Sequence, residues 1–257
     1  MKIGAIIQAR TSSSRLPGKV LKELPFGSGV TVLENVIRRV KRCKEIDHII
    51  VATTDKPVDK KIVSVVKRAK AGYFCGDEKD VLSRYYLAAK EYGLDAVVRI
   101  CSDSPCLDPV VVDMLVKKYV NTKADYASNM LVHKYPLGLN AEIFGFGSLG
   151  KAYKSVKKDY EKEHVTPFFY RNPDKFKISS LDAPASLSRL NLRLTLDTLE
   201  DYALLCAVFD YLYPTDKYFN VDKIVKLFIK KPWLKNINAN IMQKSIAPAR
   251  ERYRKNI

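Results

Sequence analysis

Between Gln8 and Lys19 the chain reads Gln-Ala-Arg-Thr-Ser-Ser-Ser-Arg-Leu-Pro-Gly-Lys, a polar stretch with three cations, four consecutive hydroxyl residues and a Pro-Gly turn. Arg10 and Arg15 can grip phosphate oxygens bidentately, and Lys19 supplies a mobile point charge. Hydroxyls and backbone N–H groups from Thr11 to Ser14 add neutral donors, while Gly18 lets the backbone come close to a ligand. This inventory suits a triphosphate better than a single carboxylate. A solvated basic turn is the plainer alternative, since charged loops are common on protein surfaces.

The obvious phosphate motifs do not fit. An ATP-type P-loop needs glycine five residues before the Gly-Lys pair and Ser or Thr directly after it; Ser13 and Val20 stand there instead. No Gly-x-Gly-x-x-Gly follows the first apolar run, which removes a dinucleotide fingerprint.

Gln8-Ala9-Arg10, a short run of small polar residues and Arg15-Leu16-Pro17-Gly18-Lys19 together resemble the opening of the cytidylyltransferase family that includes the 3-deoxy-manno-octulosonate and acylneuraminate enzymes, and most of all its spore-coat polysaccharide branch. In that family the loop wraps the triphosphate of CTP. The resemblance runs in order over roughly residues 3 to 210. It implies that Gln8, Ala9, Arg10, Ser14, Arg15, Gly18 and Lys19 contact nucleotide. Arg10, Arg15 and Lys19 would then carry catalysis by positioning and charge neutralisation.

Nucleotidyl transfer calls for a divalent cation, and Mg²⁺ accepts one or two carboxylates completed by waters and phosphate oxygens. Asp103 and Asp197 are the candidate ligands. Ser102-Asp103-Ser104-Pro105-Cys106-Leu107-Asp108-Pro109 is similar to the family's Gly-Asp-x-Pro-x-x-Asp-Pro, with Ser102 in place of glycine beside the nucleotide. Asp197-Thr198-Leu199-Glu200-Asp201 is similar to its Asp-Thr-Pro-Glu-Asp, with Leu199 in place of proline. The plainer readings are a turn or cap at Asp103 and a helix N-cap at Asp197. Gly76 to Arg84 resembles the stretch the family sets against base and ribose, so Arg84 faces either the nucleotide or solvent from a helix start. Gly138-Leu139-Asn140-Ala141-Glu142 and Glu163-His164-Val165-Thr166-Pro167 resemble acceptor-contacting segments, which nominates Asn140, Glu142 and His164. Asn140 replaces the usual Asp and changes the charge offered to an acceptor, and a structural helix cap is the other reading of His164.

The elements that must carry these residues follow from periodicity. Strand-like runs at Ile3 to Ile7, His48 to Thr53, Ala71 to Phe74 and Ala96 to Ile100 alternate with helical patterns at Val32 to Val40, Val58 to Ala69 and Val81 to Ala89. Near-continuous apolar strands alternating with helices predict an α/β fold with a doubly wound, mostly parallel sheet, and the resemblance implies the nucleotide-diphospho-sugar transferase type. Ligands then bind beyond the C-terminal strand ends, where both the first loop and Ser102-Asp103 fall. Residues 1–215 are expected to form the transferase domain, with 129–185 as an inserted acceptor and dimer region. A strand and a helix return between Leu190 and Phe209. Residues 216–257 are expected to form a basic helical extension.

With 257 residues and 47% hydrophobic content, one large domain is affordable. No apolar run approaches the roughly 20 residues that span a bilayer, and Met1-Lys2 leads straight into a strand, so a cytoplasmic protein without membrane insertion is expected. Five scattered cysteines and three histidines offer neither a disulfide framework nor zinc-ligand spacing. The net charge is +17; Lys217 to Ile257 holds 11 Lys or Arg against two acids, so +9 of it lies there. No nucleic-acid-binding signature accompanies that charge, and no specific nucleic acid is expected as partner.

The expectation is therefore a Mg²⁺-dependent, homodimeric nucleotidyltransferase that uses CTP. It joins CMP to a small anionic sugar or sugar acid with loss of pyrophosphate, for surface-glycan synthesis. The rivals are a same-fold transferase using another nucleoside triphosphate or a phosphate or phosphonate acceptor, and a nucleotide-binding protein without catalysis.

Overall fold

The computed structural model describes residues 1–243 except His133 and Arg189. The cations Arg250, Arg252, Arg254 and Lys255 of the basic extension lie outside the described residues.

A seven-stranded sheet forms the centre, in the order β3-β2-β1-β4-β6-β5-β7. Its strands are β1 Ile3–Gln8, β2 His48–Thr54, β3 Gly72–Gly76, β4 Ala96–Cys101, β5 Tyr126–Ser128, β6 Glu142–Gly145 and β7 Ile178–Ser180. β1 to β4 run parallel, β6 is antiparallel to both β4 and β5, and β7 returns parallel to β5. Gln8 pairs with Ala52 on one side and Cys101 on the other. The loops after β1 and β4 therefore leave from the same sheet edge.

The helices are α1 Val32–Val40, α2 Lys60–Arg68, α3 Val81–Glu91, α4 Pro109–Thr122, α5 Phe146–Ser155, α6 Asp159–His164, α7 Pro167–Arg171, α8 Ala185–Ser188, α9 Leu199–Leu212 and α10 Val221–Lys230. Starts follow side-chain caps: Thr31 accepts the Glu34 N–H, Asp80 the Ser83 N–H, and Asp108 the Val110 N–H ahead of α4. Ile3, Ala5 and Ile7 pack on one face with α1, α2 and α4, whereas Ile6, Ile50 and Val97 pack on the other with α3, α5 and α7. Burial on both faces is why these strands read as unbroken apolar runs.

Residues 129–185 enter the sheet itself, since β6 lies between β4 and β5. The strand expected from Leu190 does not form; a single bridge joins Leu137 to Arg193. Leu192, Leu194 and Leu196 do alternate inward, but into a third core with α9, α10, Leu16 and Leu24. The alternation is real and its partner is helical. Gly138, at φ 98°, passes so close to the Leu194 carbonyl that a Cβ would collide with it. Among the described residues no helix is long and apolar enough to cross a membrane.

Candidate active site

The first loop is folded on itself. The Thr11 carbonyl accepts the N–H groups of Ser13 and Gly18, both at 2.9 Å. Thr11 in turn donates its N–H (2.8 Å) and hydroxyl to Asp59 Oδ1, and Thr54 donates its hydroxyl to Oδ2. Asp59 is 1% exposed; its carboxylate fixes the loop to the end of β2. Gly18, at φ 67°, opens a short 3-10 turn over Lys19–Leu21 and so aims Lys19. Leu16 is buried in the third core and anchors the other side. Asp59 escaped sequence reading because an acid just ahead of a helix looks like an ordinary cap.

The loop cations meet two aspartates. Lys19 Nζ lies 2.6 Å from Asp103 Oδ2 and 2.8 Å from Asp197 Oδ1, and Arg15 stands 2.9 Å from Asp197 Oδ2. Backbone stitching explains their meeting: Ser102 donates its N–H to the Gln8 carbonyl, and Leu196 donates its own to the Asp103 carbonyl at 2.9 Å. Neither aspartate caps a helix, since Asp108 starts α4 and Thr198, with Asp201 in a capping box, starts α9. Burial works against the charge of Lys19, but Asp103 and Asp197 outweigh it and hold its pKa above the ordinary lysine value. Burial likewise opposes the Asp197 charge; Lys19, Arg15 and Arg193 prevail and keep its pKa below the usual carboxylate range.

These groups line a cavity of about 280 Å³ together with Gln8, Ala9, Arg10, Ser14, Arg84, Ser102 and His164. Arg84 is 2% exposed, donates one guanidinium N–H to the Ala52 carbonyl at 3.1 Å, and leaves Nε without a partner. Burial, reinforced by Arg10, lowers its pKa. A buried guanidinium bordering a cavity draws anions into it. Gln8 is oriented by Tyr85 and Arg99, each donating to its Oε1 at 3.2 Å. Burial, together with the Arg99 guanidinium, outweighs Glu163 and Glu142 and lowers the His164 pKa below the ordinary histidine value, which favours the neutral ring. Two contacts cross the cleft mouth: Ser12 to Glu78, and Arg10 to Glu163 at 3.4 Å.

Three nominated residues stand apart from the cavity wall. Gly18 acts through the backbone turn just described. Asn140 Oδ1 is buried without a hydrogen-bond partner, and a carboxylate at the same place would carry a larger desolvation cost. Glu142 pairs with Arg99 and accepts hydrogen bonds from Tyr126 and Thr166. Burial opposes its charge, yet Arg99 and these donors keep its pKa below the ordinary glutamate value. Glu142 thus braces β4, β5 and the start of α7 beneath the site. Its partner Arg99 drew notice in the sequence only as part of the strand-end motif.

Asp103 and Asp197 converge on one ammonium, so the same oxygens can converge on a hard divalent cation. Among the described residues no group of three or more His, Cys, Asp or Glu is gathered for a metal. Two carboxylates completed by water and phosphate oxygens is the donor pattern that suits Mg²⁺, and the residues fit that ion.

A sequence model of the cytidylyltransferase family matches residues 4–246. The chain is 42% identical over 256 residues to an uncharacterized protein of Methanocaldococcus jannaschii, covering 98% of this chain and 100% of the relative. It is 30% identical over 209 residues to the spore coat polysaccharide biosynthesis protein SpsF of Bacillus subtilis, covering 79% and 85%. The structure of a cytidylyltransferase from Leptospira borgpetersenii superposes with a TM-score of 0.85 at 31% identity, covering 95% of this chain and 100% of that one. The loop, the paired aspartates and the cavity between them thus belong to an enzyme, and the chain is a member of the cytidylyltransferase family of nucleotidyltransferases.

Proposed function

We propose that this enzyme transfers CMP from CTP to the oxygen of a small anionic sugar or sugar acid, releasing pyrophosphate. One observation carries the reading: a cavity walled by Arg10, Arg15, Lys19 and the buried, incompletely partnered Arg84 faces the converging carboxylates of Asp103 and Asp197. A polyanion that travels with a divalent cation matches both halves of that wall.

Arg15 and Lys19 exchange Asp197 and Asp103 for phosphate oxygens as the triphosphate enters, and Arg10 leaves Glu163 to do the same. Each new contact is charge-assisted, worth about 1.5–3 kcal/mol. A divalent cation held by Asp103 and Asp197 would neutralise the triphosphate and stabilise charge developing on the pyrophosphate. Gln8, held by Tyr85 and Arg99, presents its amide at the end of β1, and Arg84 adds fixed positive charge from below. His164 and Glu163 also border the cavity, and in this reading the acceptor enters beside them. A neutral His164 ring can accept a proton from an acceptor hydroxyl in attack on the α-phosphorus. The chain's contribution is mainly positioning and charge neutralisation.

Kinship with a spore coat polysaccharide biosynthesis protein supports surface-glycan assembly as the setting. The test is a pyrophosphate-release screen of the four ribonucleoside triphosphates against sugar acids, sugar phosphates and phosphonates, with Mg²⁺ present and absent. Release with CTP and a sugar acid that depends on Mg²⁺ is the expected result. Release with a different triphosphate or only with phosphonates would replace this reading by that of another same-fold transferase.

A further inference from the structure

The three cations on the Asp197 carboxylate are not equivalent. Lys19 and Arg15 come from the first loop and are the groups assigned above to the triphosphate. Arg193 comes from the same irregular segment as Asp197, is 9% exposed, and is held from several directions. Its Nε and one terminal nitrogen fork onto Asp201 at 2.8 and 3.0 Å; that nitrogen also reaches Asp197 Oδ2 at 2.8 Å, and the other donates to Gln243. Asp201 accepts the N–H groups of Asp197 and Thr198 at 3.0 and 3.1 Å. Asn238, 6% exposed, lays its amide nitrogen on both Asp201 Oδ1 (2.8 Å) and the Arg193 carbonyl (3.1 Å). Asn238 and Gln243 follow α10, within the segment that the sequence suggested was only a basic extension.

We propose that Arg193, locked by Asp201 and by Asn238 of the C-terminal extension, is the positioning residue that keeps Asp197 facing Asp103 once Lys19 and Arg15 have moved to the phosphates. The inference rests on the transferase reading. Without Arg193, Asp197 would lose its remaining cation when the loop cations depart. Only a planar guanidinium can fork onto Asp201 and touch Asp197 with the same group; a lysine offers a single point charge. Groups that orient a ligating carboxylate typically matter ten- to a hundredfold in metal affinity or activity. The extension thereby becomes part of the active site.

The test compares Asn238→Ala, Arg193→Ala and Arg193→Lys in the full-length protein. Steady-state kinetics with CTP and melting temperatures are recorded for each. Mn²⁺ affinity is read by electron paramagnetic resonance in the presence of a non-hydrolysable CTP analogue. Asn238→Ala should lower kcat about tenfold and Arg193→Ala about a hundredfold, with KM for CTP changing less than about threefold, and Mn²⁺ should be held about tenfold more weakly. Arg193 borders a second cavity, of about 430 Å³, with Asn238 and Gln243. Guanidinium ion at tens of millimolar should therefore restore about tenfold of the kcat lost in Arg193→Ala and none in Arg193→Lys. Wild-type kcat and Mn²⁺ affinity in folded Asn238→Ala would overturn the proposal, as would a loss confined to KM. Should the wild type turn over no triphosphate, the transferase reading fails by itself. Mn²⁺ retention by wild type against Asn238→Ala then still decides the positioning claim.

Discussion

Lys19 bridges Asp103 and Asp197, the two carboxylates proposed to hold a divalent cation, so removing its charge should have opposite effects on cation and nucleotide. Lys19→Met keeps the length of the aliphatic stem and deletes the ammonium that lies 2.6 and 2.8 Å from the two carboxylates. Two charge-assisted bonds at about 1.5–3 kcal/mol each oppose cation entry in the wild type. Allowing for solvent screening at a partly exposed group halves this, to about 1.5–3 kcal/mol in total. Mn²⁺ should then bind nucleotide-free Lys19→Met roughly ten- to a hundredfold more tightly than wild type. CTP, having lost a phosphate contact, should bind roughly ten- to a hundredfold more weakly. Titration of Mn²⁺ followed by electron paramagnetic resonance, and calorimetry with a CTP analogue, read the two quantities separately. Unchanged or weaker Mn²⁺ binding by nucleotide-free Lys19→Met would refute the idea that its ammonium holds the cation's place.

Asp103→Asn and Asp197→Asn should each depress pyrophosphate release by at least about a hundredfold while leaving circular dichroism unchanged; near-wild-type release from both would remove these carboxylates from the chemistry. Glu163→Gln frees Arg10 from an exposed pair at 3.4 Å, and since such pairs are worth about 0.2–1 kcal/mol, CTP analogue affinity should rise by up to about fivefold, whereas a fall would mean that Glu163 supports the nucleotide. Glu142→Gln breaks the buried pair with Arg99 and should cost about 3 kcal/mol of unfolding free energy at pH 7. The Glu142 pKa is depressed by folding, so its stabilisation is fully present above the unfolded value of about 4.3 and fades as pH falls through the lower folded value. The gap in urea unfolding between wild type and variant should therefore narrow as pH falls below about 4, and a gap independent of pH would contradict the ion-pair assignment.

Much of this architecture is legible in the sequence, for identifiable reasons. The parallel strands are buried on both faces, so Ile3 to Ile7 and Ala96 to Ile100 carry a signal that no surface requirement dilutes. The first loop stood out because Arg10, Arg15 and Lys19 set three cations around a Pro-Gly turn within ten residues, and the structure brings all three to one cavity wall. Long-range partnerships were not. Nothing local marks Asp59 as the anchor of Thr11, or Arg99 as the partner of Glu142 across two strands. Leu190 to Leu196 misled because alternation reports one buried face without saying whether a strand or a helix pair covers it. The link from Asn238 to Asp197 was invisible for the same reason: it joins positions far apart in the chain through Arg193 and Asp201.

The transfer reaction itself is tested most directly by ³¹P NMR of the purified protein with CTP, Mg²⁺ and a set of sugar acids. The account predicts inorganic pyrophosphate together with one new phosphodiester resonance, both absent in Asp197→Asn. Inorganic phosphate and CDP as the products, or pyrophosphate without any CMP ester, would contradict transfer to an acceptor oxygen at the α-phosphorus.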